Sequence, residues 1–165
     1  MAASVTNMIL FLDTEFTTLT PWADLLSLAL VSDDGALEFY AERNDVPHKR
    51  CSHFVRESVL PHFGRHPAAV CNLVDMRKRL RAFVNALPEA ATVACDFSGD
   101  MDLLGSAIGA PWPAQLHLDR LPLDTLVTSA GWIAAEDEYF SAGHPRHHAL
   151  HDARALRCAY LARTR

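Results

Sequence analysis

The chain has 165 residues, half of them hydrophobic, and its 20 acidic and 15 basic residues give a net charge of −5. This length predicts one domain over residues 1–165 that is large enough to bury a core. The apolar runs are all shorter than the roughly 20 residues that cross a bilayer, so no membrane partner is expected. The net charge argues against a protein that holds nucleic acid by bulk charge alone.

The first residues and the cysteines bear on localisation. The stretch before Met8 has no positive charge, and "MILFL" is too short for the apolar part of a signal peptide. The four cysteines are scattered without a CxxC pair, which favours buried thiols in a reducing compartment. A cytoplasmic protein is therefore expected. Residues 1–7 are interpreted as a disordered leader, with Met8 as an alternative start.

Three strands are predicted in the first quarter of the chain. "MILFLDTEF" (8–16) and "DLLSLALVS" (24–32) are rich in apolar residues, and "ALEFYAER" (36–43) alternates apolar and polar positions. The turn signal "DDG" (33–35) joins the second strand to the third. We therefore expect three strands in antiparallel succession.

The rest of the chain alternates helical and extended patterns. Helices are predicted over residues 53–63, 75–87, 98–108 and 148–163, and a short buried strand is predicted over 91–97. Residues 109–147 read as irregular and then extended, with a Gly, Pro and His loop at their end. The order predicts an α/β domain with a mixed sheet, antiparallel over its first three strands and parallel afterwards, flanked by helices.

Two carboxylates end the first strand. Asp13 and Glu15 are two residues apart, so their side chains lie on the same face of a strand. Two like charges at this range raise each other's pKa unless a cation joins them, and a hard divalent ion is the natural partner for oxygen ligands. The alternative is an ordinary solvated strand end.

A third acid is selected by helical phase. Asp100 shares the apolar face of its helix with Leu103, Leu104 and Ala107, whereas Asp102 is expected to be exposed. An N-terminal capping role is the alternative for Asp100. Asp100 is therefore a candidate member of a buried acidic site.

The last helix repeats this pattern with Asp152. Asp152 lies three residues after Ala149 and four before Leu156, on the apolar face, and a buried carboxylate needs a partner. His147 precedes Asp152 by five residues, so both reach one site only if His147 lies in the loop before the helix. A histidine at the rim of an acidic site suits a general base. His148 and His151 are expected to be solvated.

The motifs "DTE", an isolated Asp on a helix after a short strand, and "HHALHD" resemble the DEDDh family of 3′–5′ exonucleases, and in particular the small bacterial exoribonucleases of the mycobacterial type. The resemblance implies a ribonuclease H-like fold and two Mg²⁺ or Mn²⁺ ions. It implies that Asp13, Glu15 and Asp152 hold one ion, that Asp13 and Asp100 hold the second, and that His147 is the general base. The implied reaction releases nucleoside monophosphates from RNA 3′ ends, with DNA or short oligonucleotides as the alternative substrates.

The resemblance also suggests residues that contact the substrate. Leu19 corresponds to the apolar wedge of the family, and Arg146 is the best candidate for a phosphate contact. The remaining candidates are Thr14, Phe16, Thr18 and Trp22. Thr18 stands where many members have Gly, and Cys95 and Asp96 stand where many have His-Asn, so contacts at these places are open.

Two other interpretations remain. His147 and His151 are four residues apart and could form a zinc site on a helix, as in a binding protein that is not an enzyme. An inactive interaction domain with a nuclease-like fold is the other. The basic cluster "RKRLR" (77–81) is interpreted first as a solvated helix face and second as a phosphate patch. Dimers occur among related enzymes, so the resemblance allows a homodimer.

Overall fold

The computed structural model describes residues 7–163 and contains one six-stranded mixed sheet in the order β4-β3-β2-β1-β5-β6. The strands are β1 Met8–Phe16, β2 Leu25–Ser32, β3 Glu38–Arg43, β4 Val70–Cys71, β5 Ala91–Cys95 and β6 Leu121–Pro122. β1, β2 and β3 pair antiparallel, whereas β5 is parallel to β1 and β6 is parallel to β5. The predicted fold class is confirmed.

Five α-helices accompany the sheet. They are α1 His53–Ser58, α2 Leu73–Asn85, α3 Ser98–Ile108, α4 Ala130–Ser141 and α5 Ala149–Arg163. α2 and α3 cover one face of the sheet, and α4 and α5 cover the other. Among the described residues, no helix combines the length and apolar character needed to span a membrane.

The alternation of β1 decides where its acids point. Leu10 and Leu12 pack in the core under α2 and α3, whereas Phe11 packs in the core under α4 and α5. Because side chains of a strand alternate between faces, Asp13 and Glu15 follow Phe11 onto the α5 side. The sheet therefore brings both acids toward the start of α5.

The basic cluster of α2 binds the end of α3. Arg77 Nε donates to the carbonyl of Ala107 at 2.9 Å, and Arg81 Nη1 donates to the carbonyl of Ile108 at 3.0 Å. These carbonyls lack partners inside their own helix. α3 then stops at Gly109, whose φ of 70° favours glycine, as predicted. Two arginines of the cluster thus cap α3, a use that neither interpretation of the cluster anticipated.

The structure differs from the predicted elements mainly after residue 109. α4 was not predicted, because its sequence "AGWIAAEDEYFS" has only one fully buried residue, Trp132, and shows little amphipathic pattern. β6 covers only two residues and is therefore too short for a recognisable period. The predicted helix 53–63 is divided, since α1 ends at Ser58 and a 3₁₀ turn, Leu60–His62, contains Pro61. The predicted leader 1–7 lies almost wholly outside the described residues.

Candidate metal centre

The carboxyl end of β1 carries a cluster of acidic side chains from three elements. β1 supplies Asp13 and Glu15, the first turn of α3 supplies Asp100, and the first turn of α5 supplies Asp152. One possible ligand atom each from Glu15, His147 and Asp152 lies within 4.8 Å of the others. The five residues selected from the sequence are therefore neighbours of one site.

A second group of acids lies beside the first. Asp13, Asp96 and Asp100 each place one carboxylate oxygen within 4.8 Å of the others. The two groups together offer five carboxylates, which is a donor set suited to hard divalent cations. Asp96 follows the end of β5 and was noted in the sequence only as a departure from the family pattern.

A hydrogen bond from the sheet fixes the side chain of Asp100. Its side chain is 2% exposed, and it accepts a hydrogen bond of 2.6 Å from Thr14 Oγ1. α3 has Phe97 at its N-cap position without a side-chain cap, so Asp100 does not play the capping role considered above. Thr14, proposed as a substrate contact, is buried, and its hydroxyl positions Asp100. Asp102 is exposed, as the helical phase predicts.

His147 lies in the loop before α5, as the site requires. Its φ of 59° is an unusual backbone conformation for a residue other than glycine, and such conformations cluster at functional sites. The ring is exposed and meets Phe54 edge-on, with 4.9 Å between ring centroids. The next residue, His148, donates its backbone N–H to Asp152 Oδ2 at 3.1 Å and so orients that carboxylate.

Burial raises the pKa of every acid that the sequence predicted for this site, and neighbouring carboxylates add to the rise for Asp13, Glu15 and Asp100. Burial, followed by the charges of Asp152 and Asp100, raises the pKa of Glu15 to about 9. Burial raises the pKa values of Asp100 and Asp152 to about 7, and the pKa of Asp13 lies well above its usual range for the same reason, reinforced by neighbouring carboxylates. Within residues 7–163, none of these four acids takes part in an ion pair. A bound cation would relieve the repulsion among these acids.

A small cavity lies beside the acids, and its border includes a residue that was not identified as a candidate from the sequence. It has a volume of about 210 Å³ and is bordered by Asp13, Asp96, Arg146 and Glu136. Glu136 belongs to α4, and burial raises its pKa. No sequence signal pointed to Glu136, because the helix that carries it was not predicted. Arg146 borders the cavity, but its guanidinium forms an ion pair with Asp137, with 2.7 Å between Nη2 and Oδ1.

Two larger grooves meet at Leu19, which is 89% exposed. One groove, of about 580 Å³, includes Phe97, whose ring stacks on Phe16 at 5.9 Å. The other, of about 420 Å³, includes Phe54. Phe16, Thr18 and Leu19 line both grooves. Trp22 is exposed as well but lines neither groove.

The histidines around α5 differ from the expectation of solvated side chains. His148 is 2% exposed and stacks on Tyr40 with 4.8 Å between ring centroids, so the prediction for His148 was wrong. His151 is half-buried, with Nδ1 2.9 Å from the hydroxyl of Tyr139. His147 precedes α5, so His147 and His151 do not form the pair on one helix that the zinc interpretation required.

No protein-family model and no curated relative matches this chain. Among solved structures, the chain is similar to the crystal structure of cell-death related nuclease 4 (CRN-4), with a TM-score of 0.64 and 14% sequence identity. The fold is ribonuclease H-like. The similarity covers 96% of this chain but only 63% of that one, so the chain spans less than two thirds of the neighbour's length. At this identity the likeness establishes the shared architecture.

Proposed function

We propose that this protein is a metal-dependent nuclease that removes nucleoside monophosphates from the 3′ end of single-stranded or 3′-overhanging RNA. The observation that carries the proposal is the convergence of Asp13, Glu15, Asp100 and Asp152, with His147 at the rim, at the carboxyl end of β1. The structural similarity to a nuclease supports the reaction class. The sequence motifs support the 3′ polarity and the preference for RNA, and DNA is the alternative substrate.

The residues present fit a divalent metal centre. Asp13 Oδ2 is enclosed yet has no hydrogen-bond partner in the part of the chain that the structure describes, which is costly for a carboxylate unless a cation joins it. An all-oxygen acidic set favours Mg²⁺ or Mn²⁺. Glu15 and Asp152 would hold one ion and Asp100 the second, with Asp13 shared between them. Bound ions would supply Lewis acidity toward the attacking water and the phosphate.

His147 is suited to take the proton of that water. The His147 ring is largely exposed, but partial desolvation by its neighbours, followed by the charge of Arg146, lowers its pKa from the ordinary value of 6.5, which favours the neutral imidazole that can accept a proton. As the proton moves to an imidazole nitrogen, the water oxygen bonds to phosphorus and the bond from phosphorus to the 3′ oxygen of the preceding nucleotide breaks. The released 3′ oxygen then takes a proton from solvent and becomes a hydroxyl. The backbone N–H of His148 keeps Asp152 in place during this step.

The grooves at Leu19 suit the terminal bases. An exposed apolar side chain between two partly aromatic grooves can separate neighbouring bases, while Phe16 offers a ring face near them. Thr18 borders the same space. Arg146, beside the acids, would contact a phosphate if it exchanged Asp137 for it.

The test uses a 5′-labelled RNA and a DNA of the same sequence, each incubated with Mg²⁺, Mn²⁺ or EDTA. A ladder that shortens from the 3′ end, only with metal, is the expected result, and Asp13→Asn protein is the matched control. The relative rates on the two strands decide between RNA and DNA. Homogeneous wild-type protein that cleaves neither strand with any divalent ion would refute the proposal.

A further inference from the structure

The segment 48–66, which includes α1, is one of the basic stretches of the chain, as is the cluster "RKRLR" of α2. It holds four Lys and Arg residues, whereas Glu57 is its only acid in a chain with 20 acids. These four basic residues, all of them exposed, are Lys49, Arg50, Arg56 and Arg65. We call residues 48–66 the basic segment. In a chain of net charge −5, this is a local concentration of positive charge.

The basic segment forms one wall of the mouth of the acidic site. Its residues Ser52 and Phe54 line the 420 Å³ groove together with Glu15 and Leu19. Phe54 also contacts the ring of His147. The backbone N–H of Ser52 donates to the carbonyl of Thr17 at 2.9 Å, which ties the segment to the loop after β1. A strand that leaves the site through this groove therefore passes along the basic segment.

The groove on the other side of Leu19 is bordered by α3 and not by the basic segment. Neither groove is lined by Lys or Arg, and each includes one acid, Asp102 in this groove and Glu15 in the other. The two sides therefore differ in the exposed Lys and Arg residues of the basic segment, which favour a polyanion on the α1 side.

We propose that the single strand upstream of the scissile bond leaves the acidic site over the basic segment, where Lys49, Arg50, Arg56 and Arg65 hold its phosphates. The inference rests on the proposed function for the identity of the ligand. Arg50 already holds Asp24 at 2.9 Å and Arg56 donates to the carbonyl of Cys51 at 2.5 Å, but a guanidinium has five donors and can bind a phosphate in addition. The positive charges of the basic segment thus offset the net negative charge of the protein along the proposed path of the substrate.

The test compares two double variants that each remove one Lys and one Arg. Lys49→Ala/Arg65→Ala changes the basic segment. Lys78→Ala/Arg163→Ala is the matched control, since Lys78 is exposed on α2 in the opposite layer and Arg163 is exposed at the far end of α5. Affinity for a labelled 20-nucleotide oligouridylate is measured in EDTA over a range of KCl concentrations, so that no turnover occurs. Thermal unfolding of each variant confirms that it is folded.

The slope of log affinity against log salt is expected to become shallower by about 1.4 in Lys49→Ala/Arg65→Ala, since each lost contact with a single strand removes about 0.7. The control double variant should keep the wild-type slope, and it should hydrolyse a trinucleotide at the wild-type rate with Mn²⁺. Equal slopes for both double variants, or wild-type binding without salt dependence, would overturn the strand path. Failure of every protein to hydrolyse the trinucleotide would refute the proposed function alone, because the binding comparison in EDTA would still stand.

Discussion

Two carboxylates of the same sheet have opposite surroundings. Glu42 on β3 is 1% exposed, yet it accepts hydrogen bonds of 2.7 Å from Tyr40 Oη and from the backbone N–H of Gly64. Asp13 on β1 is half-buried, its enclosed Oδ2 has no hydrogen-bond partner among residues 7–163, and its pKa lies well above the usual range because of burial and of neighbouring acids. Burial alone therefore does not mark a site. An enclosed carboxylate whose hydrogen bonds are complete supports the fold, whereas one without partners is a candidate cation ligand.

Substitution of these two acids should give the largest difference between variants, because Asp13 is expected to matter for the nuclease rate and Glu42 for stability. Asp13→Asn should lower the nuclease rate by roughly 10³-fold or more, because metal-dependent stabilisation of the reaction contributes several kcal/mol. The same change should raise the melting temperature in EDTA, since it removes one of several repelling charges. Rate and thermal unfolding, measured on one preparation, check both statements.

Glu42→Ala is the matched variant on β3. It removes the acceptor of the half-buried hydroxyl of Tyr40, which costs about 1–3 kcal/mol of unfolding free energy, whereas the N–H of exposed Gly64 can bind water instead. The rate per folded molecule should remain near that of the wild type. If Glu42→Ala abolished the rate without destabilising the fold, or Asp13→Asn melted the protein, the distinction between the two acids would be wrong.

His147→Ala should lower the rate by about 10²–10⁴-fold, the usual contribution of a general base. Because the carboxylates hold the ions, stabilisation of the variant by Mn²⁺ should be almost unchanged. His151→Ala is the appropriate control, whereas His148→Ala is unsuitable because the ring of His148 is buried against Tyr40. If His147→Ala lost its stabilisation by Mn²⁺, His147 would be a metal ligand rather than the base.

The acids should also make the metal-free protein less stable as pH rises. In the folded state the pKa values of Asp100 and Asp152 are about 7 and that of Glu15 is about 9, against ordinary values of 3.8 and 4.5. The folded chain therefore binds more protons than the unfolded chain between these values. The stabilisation that comes from these extra bound protons is fully present below about pH 4, and it is lost as the pH rises through about 7 to 9.

Denaturant unfolding in EDTA at several pH values should show this decline, and saturating Mg²⁺ should flatten it because the ionised acids then have a partner. Asp13→Asn should decline less steeply, whereas Glu42→Ala should follow the wild-type slope from a lower level. A metal-free stability that increases between pH 5 and 9 would contradict the assigned pKa shifts.

The parts of the site that follow a period could be predicted from the sequence. The two-residue repeat of β1 placed Asp13 and Glu15 on one face, and the helical phase of α3 separated buried Asp100 from exposed Asp102. The three antiparallel strands followed from the same kind of pattern. These features were available because each depends on residues close together in the chain.

Features that depend on distant contacts could not be predicted in this way. Asp96 follows β5 in a loop without a period, and Glu136 lies on α4, a helix with little amphipathic pattern. Thr14 is proposed as a substrate contact on its place in the first motif, and nothing in the sequence relates it to Asp100, 86 residues away. The burial of His148 depends on Tyr40, which is equally remote in the chain. Tertiary packing decides such cases, not local propensity.

The smallest expected effects concern the two acids on either side of Asp100 in the chain. Asp96 lies in one group with Asp13 and Asp100, so Asp96→Asn should weaken metal binding by about tenfold, the lower end of what a supporting residue of a metal site contributes, with the rate at saturating Mn²⁺ nearly unchanged. Asp102→Asn should change neither quantity measurably, because its side chain is exposed on the other face of α3. Initial rates over a series of Mn²⁺ concentrations separate the two variants. If Asp102→Asn weakened metal binding and Asp96→Asn did not, the orientation of α3 relative to β1 would differ from the one described, and Asp100 could no longer be placed in the metal centre.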